Sequence, residues 1–187
     1  MMRFVTTRGG TAPVSLSDAI VQGIGADGGL FVPERLPAMP WTDFPSATEL
    51  PALAARVIAP FAEGDPLAPV LADVCREAFD FPAPLVRLQR APGQAYALEL
   101  FHGPTCAFKD FGARFLAAAL QRLHGPREPK VTILVATSGD TGGAVAACQC
   151  GSVAPATGLV PARRSVAIVW RTRERMPCLG TAEARLP

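Results

Sequence analysis

The sequence predicts an α/β protein, in which a small, mostly helical N-terminal region precedes the first strands and helices of a parallel-sheet domain. Three observations predict it. Residues 15–80 carry short helical periods separated by Gly and Pro. Residues 96–101 have strand composition, and an amphipathic helix pattern follows over 111–123. Residues 131–136 form a continuous apolar run of strand length, typical of a parallel strand covered on both faces, and a second helix starts at Ala144. Strand, helix, strand, loop, helix makes a βαβ unit with a right-handed crossover.

Of the 187 residues, 49% are hydrophobic and 18% charged, which supports a packed core and excludes wholesale disorder. No apolar run approaches the roughly 18 residues of a membrane span. The first residues lack the apolar segment of a signal peptide, so a cytoplasmic chain is expected. In that compartment five cysteines read as free thiols. The formal charge of +2 is too small to point to nucleic acid. It is also unevenly spread. Residues 1–147 hold 12 basic and 14 acidic side chains, whereas 148–187 hold six arginines and two glutamates. Cys148, Cys150 and Cys178 lie in that last stretch as well, so a boundary is expected near residue 148.

Residues 15–24 read as a short helix, with Ser15 or Ser17 as N-cap and glycines ending it. Gly28 and Gly29 turn the chain into a strand over 30–32, stopped by Pro33. Ser46 and Glu49 have capping-box spacing, Pro51 suits a first helical turn, and Leu53, Val57, Ile58 and Phe61 form the apolar stripe. Asp65 and Pro66 begin a further helix by the same logic, burying Val70, Leu71, Val74, Cys75 and Ala78. The prolines at 82 and 84 break the chain. Phe111, Phe115, Leu116, Ala119, Leu120 and Leu123 give the later helix its apolar face, and Gly125-Pro126 ends it.

Two loops, 102–106 and 137–143, each lead from a strand's C-terminal end into a helix, the place where open α/β sheets bind ligands. The second loop (Thr137, Ser138, Gly139, Asp140, Thr141, Gly142, Gly143) offers small residues, two kinds of hydroxyl and backbone N–H groups at a helix N-terminus, which suits a carboxylate or phosphate. It has neither Walker-loop nor dinucleotide-loop spacing, and a plain helix cap is an equal reading. In the first loop, Lys109 is one of two lysines, against 16 arginines, and lies between Phe108 and Phe111. An ammonium among aromatics, beside the positive end of a helix, is a setting in which lysine becomes a nucleophile toward a carbonyl. The bland reading is a surface lysine packed on the phenylalanines, and it is the one that suits Lys130. His102 reads as a base or, more commonly, a satisfied loop histidine, and Asp110 as a helix N-terminal charge.

Together these segments resemble the threonine synthases. The segment Leu100-Phe101-His102-Gly103-Pro104-Thr105-Cys106-Ala107-Phe108-Lys109-Asp110-Phe111-Gly112 is similar to that family's lysine segment, and Thr137-Ser138-Gly139-Asp140-Thr141-Gly142 to its second loop. Thr6-Thr7-Arg8-Gly9-Gly10, residues 25–33 and residues 79–85 fit as well. The resemblance covers about residues 2–147. It implies the parallel sheet of the fold type II (tryptophan synthase β-like) pyridoxal 5′-phosphate (PLP) enzymes, here incomplete. Its N-terminal domain would span 1–84 and the start of the catalytic domain 85–147. It implies conversion of O-phospho-L-homoserine and water to L-threonine and phosphate. Lys109 would carry PLP and act as general base and acid, with Phe108 and Asp140 at the cofactor. Thr137, Ser138, Gly139, Asp140 and Thr141 would bind the substrate. The loop for the cofactor phosphate and the group facing its pyridine nitrogen belong to the family's later part, which this chain does not contain.

From about residue 148 the resemblance stops. Prolines at 155, 161, 177 and 187 and scattered arginines follow, so 148–187 is expected to be a disordered or frame-shifted tail in which 165–170 forms at most an isolated strand. The Cys148-x-Cys150 spacing is not that of a zinc site, and no metal is expected. Low or absent activity is expected of a chain so short. A serine/threonine dehydratase or a non-catalytic α/β binding module are the competing readings; neither nucleic acid nor membrane is an expected partner.

Overall fold

The computed structural model describes residues 1–44, 49–89, 93–124, 132–137, 139–149, 159–162 and 165–171. The chain divides into two compact units, one of residues Met1–Leu100 and Arg114–Arg127, the other of Phe101–Ala113 and Glu128–Pro187.

In the first unit β1 (Phe4–Thr6) pairs antiparallel with β2 (Phe31–Pro33), Phe4 opposite Pro33 and Thr6 opposite Phe31. Between them lies α1 (Leu16–Gln22). Ser15 is its cap: the Ser15 hydroxyl oxygen accepts the Asp18 N–H at 3.0 Å, and the hydroxyl donates to the Asp18 carboxylate at 2.7 Å. The other candidate, Ser17, is turned inward. Its N–H donates to Asp65 at 2.9 Å and its hydroxyl to the other oxygen of the same carboxylate, which also accepts the Leu67 N–H at 2.9 Å. Asp65 is thus a buried tie between the start of α1 and the turn before the third helix.

The second helix, α2 (Leu50–Ile58), has Glu49 at its N-cap position without a side-chain capping bond, and Pro51 in its first turn. Ser46 lies outside the described residues. The third, α3 (Leu71–Ala78), starts later than the Asp65-Pro66 pair suggested. Asp65 spends its acceptors on Ser17 and Leu67, and Pro69, with no N–H, sits in a single 3-10 turn over Ala68–Val70. Its inward face, Leu71, Val74, Cys75 and Ala78, is buried as the period predicts. Burial raises the Cys75 thiol from 9.0 to about 11. A separate cluster of Met2, Phe4 and Ala19 packs with Val14, Leu16, Phe31 and Phe61.

Two further strands, β3 (Leu85–Arg87) and β4 (Tyr96–Leu98), make an antiparallel ribbon. The long helix α4 (Lys109–Leu123) contributes Arg114 to the first unit. The Arg114 guanidinium donates to the carbonyls of Ala78 and Glu77 at 2.8 and 2.7 Å and to the Asp80 carboxylate at 2.7 Å, satisfying the C-terminal end of α3. Phe115 stacks on Phe79 with centroids 6.2 Å apart.

The second unit contains β5 (Thr132–Thr137), α5 (Asp140–Gln149), β6 (Leu159–Ala162) and β7 (Ser165–Arg171). These strands form one sheet in the order β5-β7-β6, antiparallel at both junctions. Here the structure corrects the sequence expectation. No parallel pair occurs among the described strands. β4, the expected parallel neighbour of β5, pairs with β3 instead. The segment expected to stand alone within a disordered tail lies alongside β5 along its full length, from Thr132 opposite Arg171 to Thr137 opposite Val166. The cause is compositional. An apolar strand with an unpaired edge takes the nearest β-branched and aromatic segment, and residues 165–170 (SVAIVW) supply one.

Candidate active site

The lysine loop is built on a buried carboxylate. After Phe101 and His102, whose rings stack 4.7 Å apart, the chain turns through Gly103 to Cys106, closed by the Cys106 N–H donating to the Gly103 carbonyl at 3.0 Å. Cys106 holds the left-handed conformation, φ 56°, unusual for a residue with a side chain. The Asp110 N–H then donates to Ala107 at 3.0 Å and the Phe111 N–H to Phe108 at 3.3 Å, and α4 begins. Asp110, its second residue, is 0% exposed. Its carboxylate accepts the Thr105 N–H at 2.9 Å and the Thr105 hydroxyl at 2.7 Å. Gly103 lies against it: a side chain there would place its Cβ 2.8 Å from the Asp110 Cβ and still closer to a carboxylate oxygen. Only glycine permits that approach.

Lys109 heads the helix beside this clamp and is half-buried. Its Nζ lies 3.8 Å from the centroid of the Phe108 ring, a cation–π contact, and Phe108 is 57% exposed. Lys109 and Phe108 are therefore neighbours, as their order in the sequence suggested.

The second loop belongs to the same unit as the lysine loop. β5 ends at Thr137, and Ser138 lies outside the described residues. Gly139 has φ 151°, a backbone region that side chains rarely enter, and its carbonyl accepts the Gly143 N–H at 2.9 Å. Helix α5 begins at Asp140, not at Ala144. Asp140, Thr141 and the glycines after them thus form its first turn, where a carboxylate is favoured by the helix dipole. Asp140 and Thr141 are exposed, and Gly142 is buried. Among the described residues no group of three His, Cys, Asp or Glu side chains is arranged to hold a metal. No helix among them is long and apolar enough to cross a membrane.

In the sequence Asp110 reads as a helix-end charge, whereas in the structure it anchors Thr105 and lies against Gly103. The signal was there: a glycine, then a threonine two residues on, then an aspartate at the second position of a helix.

A mixed α/β chain with a lysine heading a helix at the end of a Gly-Pro-Thr turn is the class of protein defined so far. Comparison with known proteins narrows it. Residues 3–79 match the family model for the threonine synthase N terminus. The chain is 45% identical over 135 residues to the threonine synthase of Haemophilus influenzae, covering 71% of this chain and 30% of that one. It is 43% identical over 135 residues to that of Escherichia coli K12. The crystal structure of Escherichia coli threonine synthase superimposes with a TM-score of 0.69 at 39% identity, covering 79% of this chain and 34% of that one. The structure of PLP-bound threonine synthase from Brucella melitensis gives 0.59 at 32% identity, covering 66% and 27%. The chain is related to the N-terminal part of threonine synthases and spans about 30% of their length.

Proposed function

We propose that this chain carries the lysine-bearing part of a PLP-dependent threonine synthase, acting on O-phospho-L-homoserine and water to give L-threonine and phosphate. The observation that carries the reading is Lys109, a half-buried amine heading α4 beside the buried Asp110 clamp, in a segment that resembles the family's lysine segment. The donor set suits PLP. Lys109 offers a primary amine, and the exposed Phe108 ring beside it offers an apolar face.

When bound, PLP would supply an electron sink for breaking bonds at the substrate carbons. Lys109 would hold the cofactor, give way to the substrate amine, and then carry protons at its Nζ as base and acid. Phe108 and Asp140 would lie at the cofactor. Thr137, Ser138, Gly139, Asp140 and Thr141 would hold the substrate carboxylate with hydroxyls and with N–H groups at the positive end of α5.

In this reading residues 1–84 are the N-terminal domain and 85–147 open the catalytic domain. Residues from 148 on are foreign to the family, and the encoding DNA read in its other frames should restore a helix-strand continuation there. The compartment is the cytoplasm. Because the chain spans about 30% of its relatives, phosphate release from O-phosphohomoserine by the 187-residue protein should be low or absent. The test of the site itself is an absorbance scan with added PLP. A protein-bound imine band that vanishes in Lys109→Ala supports the reading. A band unchanged by that substitution, or no band at all, refutes it.

A further inference from the structure

We propose that Asp110 is the positioning residue for Lys109, its buried carboxylate fixing the chain from Gly103 to Lys109 and so the place from which the amine meets a carbonyl. The inference rests on the reading of Lys109 above and deepens it.

Three features of the loop converge on Asp110. It is fully buried, and a carboxylate is kept in such a place only where donors compensate it. Thr105 supplies both, the N–H at 2.9 Å and the hydroxyl at 2.7 Å, so the turn is tied to the helix start by two bonds to one residue. Gly103 fits against the same side chain with no room for a Cβ, so the clamp is closed from two sides. Between the clamped residues lies Cys106 at φ 56°, a conformation that persists where its surroundings over-determine it. The consequence for Lys109 is geometric. Successive residues on a helix point about 100° apart, so anchoring Asp110 inward fixes the direction in which Lys109 leaves the helix. Lys109 is half-buried at the start of α4, and its Nζ rests on the exposed Phe108 ring.

The test uses the full chain and two readouts. Amide hydrogen exchange at Thr105 reports the clamp without any cofactor. PLP capture reports the lysine: the amine adds to the aldehyde, water leaves, and borohydride delivers hydride to fix a secondary amine, which peptide mapping assigns to Lys109 or Lys130. In Asp110→Ala the Thr105 amide should exchange about tenfold faster or more, and the capture ratio of Lys109 to Lys130 should fall about tenfold. Asp110→Asn, which can still pair with Thr105, and Thr105→Ser, which keeps the hydroxyl, should each stay within about threefold of wild type. Retained exchange protection at Gly10 and Gly29, whose N–H groups are held by Asp27, shows that the N-terminal part of the first unit is folded. Where Asp110→Ala loses that protection, Thr105→Val decides, and its capture ratio should fall while Thr105→Ser does not. A fast Thr105 amide with an unchanged capture ratio overturns the positioning role, and an unchanged amide overturns the clamp. Equal capture at both lysines in the wild type overturns the reading of Lys109, while the exchange arm still judges the clamp on its own.

Discussion

Asp27 in the first unit and Asp110 in the second do the same local job in different surroundings. Each carboxylate gathers a glycine-containing loop. Asp27 accepts the Thr6 hydroxyl at 2.5 Å and the N–H groups of Gly10 and Gly29 at 2.8 Å, joining the two segments that flank β1 and β2. Asp110 accepts the Thr105 N–H and hydroxyl and is wholly enclosed. Asp27 is reached by water, which can replace a lost partner, whereas nothing replaces one at Asp110. The difference teaches where a carboxylate is a convenience and where it is a necessity: the penalty for deletion follows burial, not the number of hydrogen bonds.

The same contrast should be widest for the cysteines. Cys75 is buried, with its thiol raised from 9.0 to about 11, whereas Cys106 in the lysine loop is exposed. Two units in pKa alone make the Cys75 thiolate about a hundredfold scarcer. Labelling with a thiol reagent at pH 8 should therefore modify Cys106 at least about a hundredfold faster, as read by mass mapping. Comparable rates would mean that α3 is not packed. Because the Cys75 value is raised on folding, its contribution is fully present below pH 9 and is lost as the pH climbs toward 11.

Deleting the enclosed carboxylate comes next. Asp110→Ala leaves two part-buried Thr105 donors without an acceptor and should cost about 2 kcal/mol in urea unfolding. Gly103→Ala drives a methyl group against Asp110 and should cost about 2 kcal/mol. A neutral outcome for both would dissolve the contrast with Asp27.

The smallest effect belongs to Asp27. The Thr6 hydroxyl first, and then the Gly29 and Gly10 N–H groups, hold its carboxyl below the usual 3.8. A lowered value means the stabilisation is full above pH 3.8 and is lost as the pH falls through the lower folded value. Asp27→Asn should flatten the acid limb of a stability-against-pH curve by lowering neutral stability slightly toward its acid value. A steep acid limb that survives the substitution would assign it to other carboxylates.

Local chemistry was legible in the sequence; pairing partners were less so. Ser15 as a cap, Pro51 in a first turn and the buried face of Leu71, Val74, Cys75 and Ala78 were legible because each depends on residues within one or two turns. The strands β1 and β3 were not foreseen. Each is three residues long, too short to show alternation, and β1 is stabilised by a partner distant in sequence. The sequence pattern places the start of α5 four residues late because Gly142 and Gly143 look like loop, yet a helix N-terminus tolerates them. The antiparallel β5–β7 pair could not be read from the apolar run alone, since that run states burial and not direction. At the site, Lys109 stood out by rarity and context, whereas the role of Asp110 needed the turn that returns Thr105 to it.

The central claim is that Lys109 is the residue prepared to take PLP. The full chain should be incubated with PLP, reduced with borohydride, digested and mapped. The account predicts the modification on Lys109, far above Lys130, and its loss in Lys109→Ala. Modification shared equally by the two lysines, or found on Lys130 alone, would contradict it.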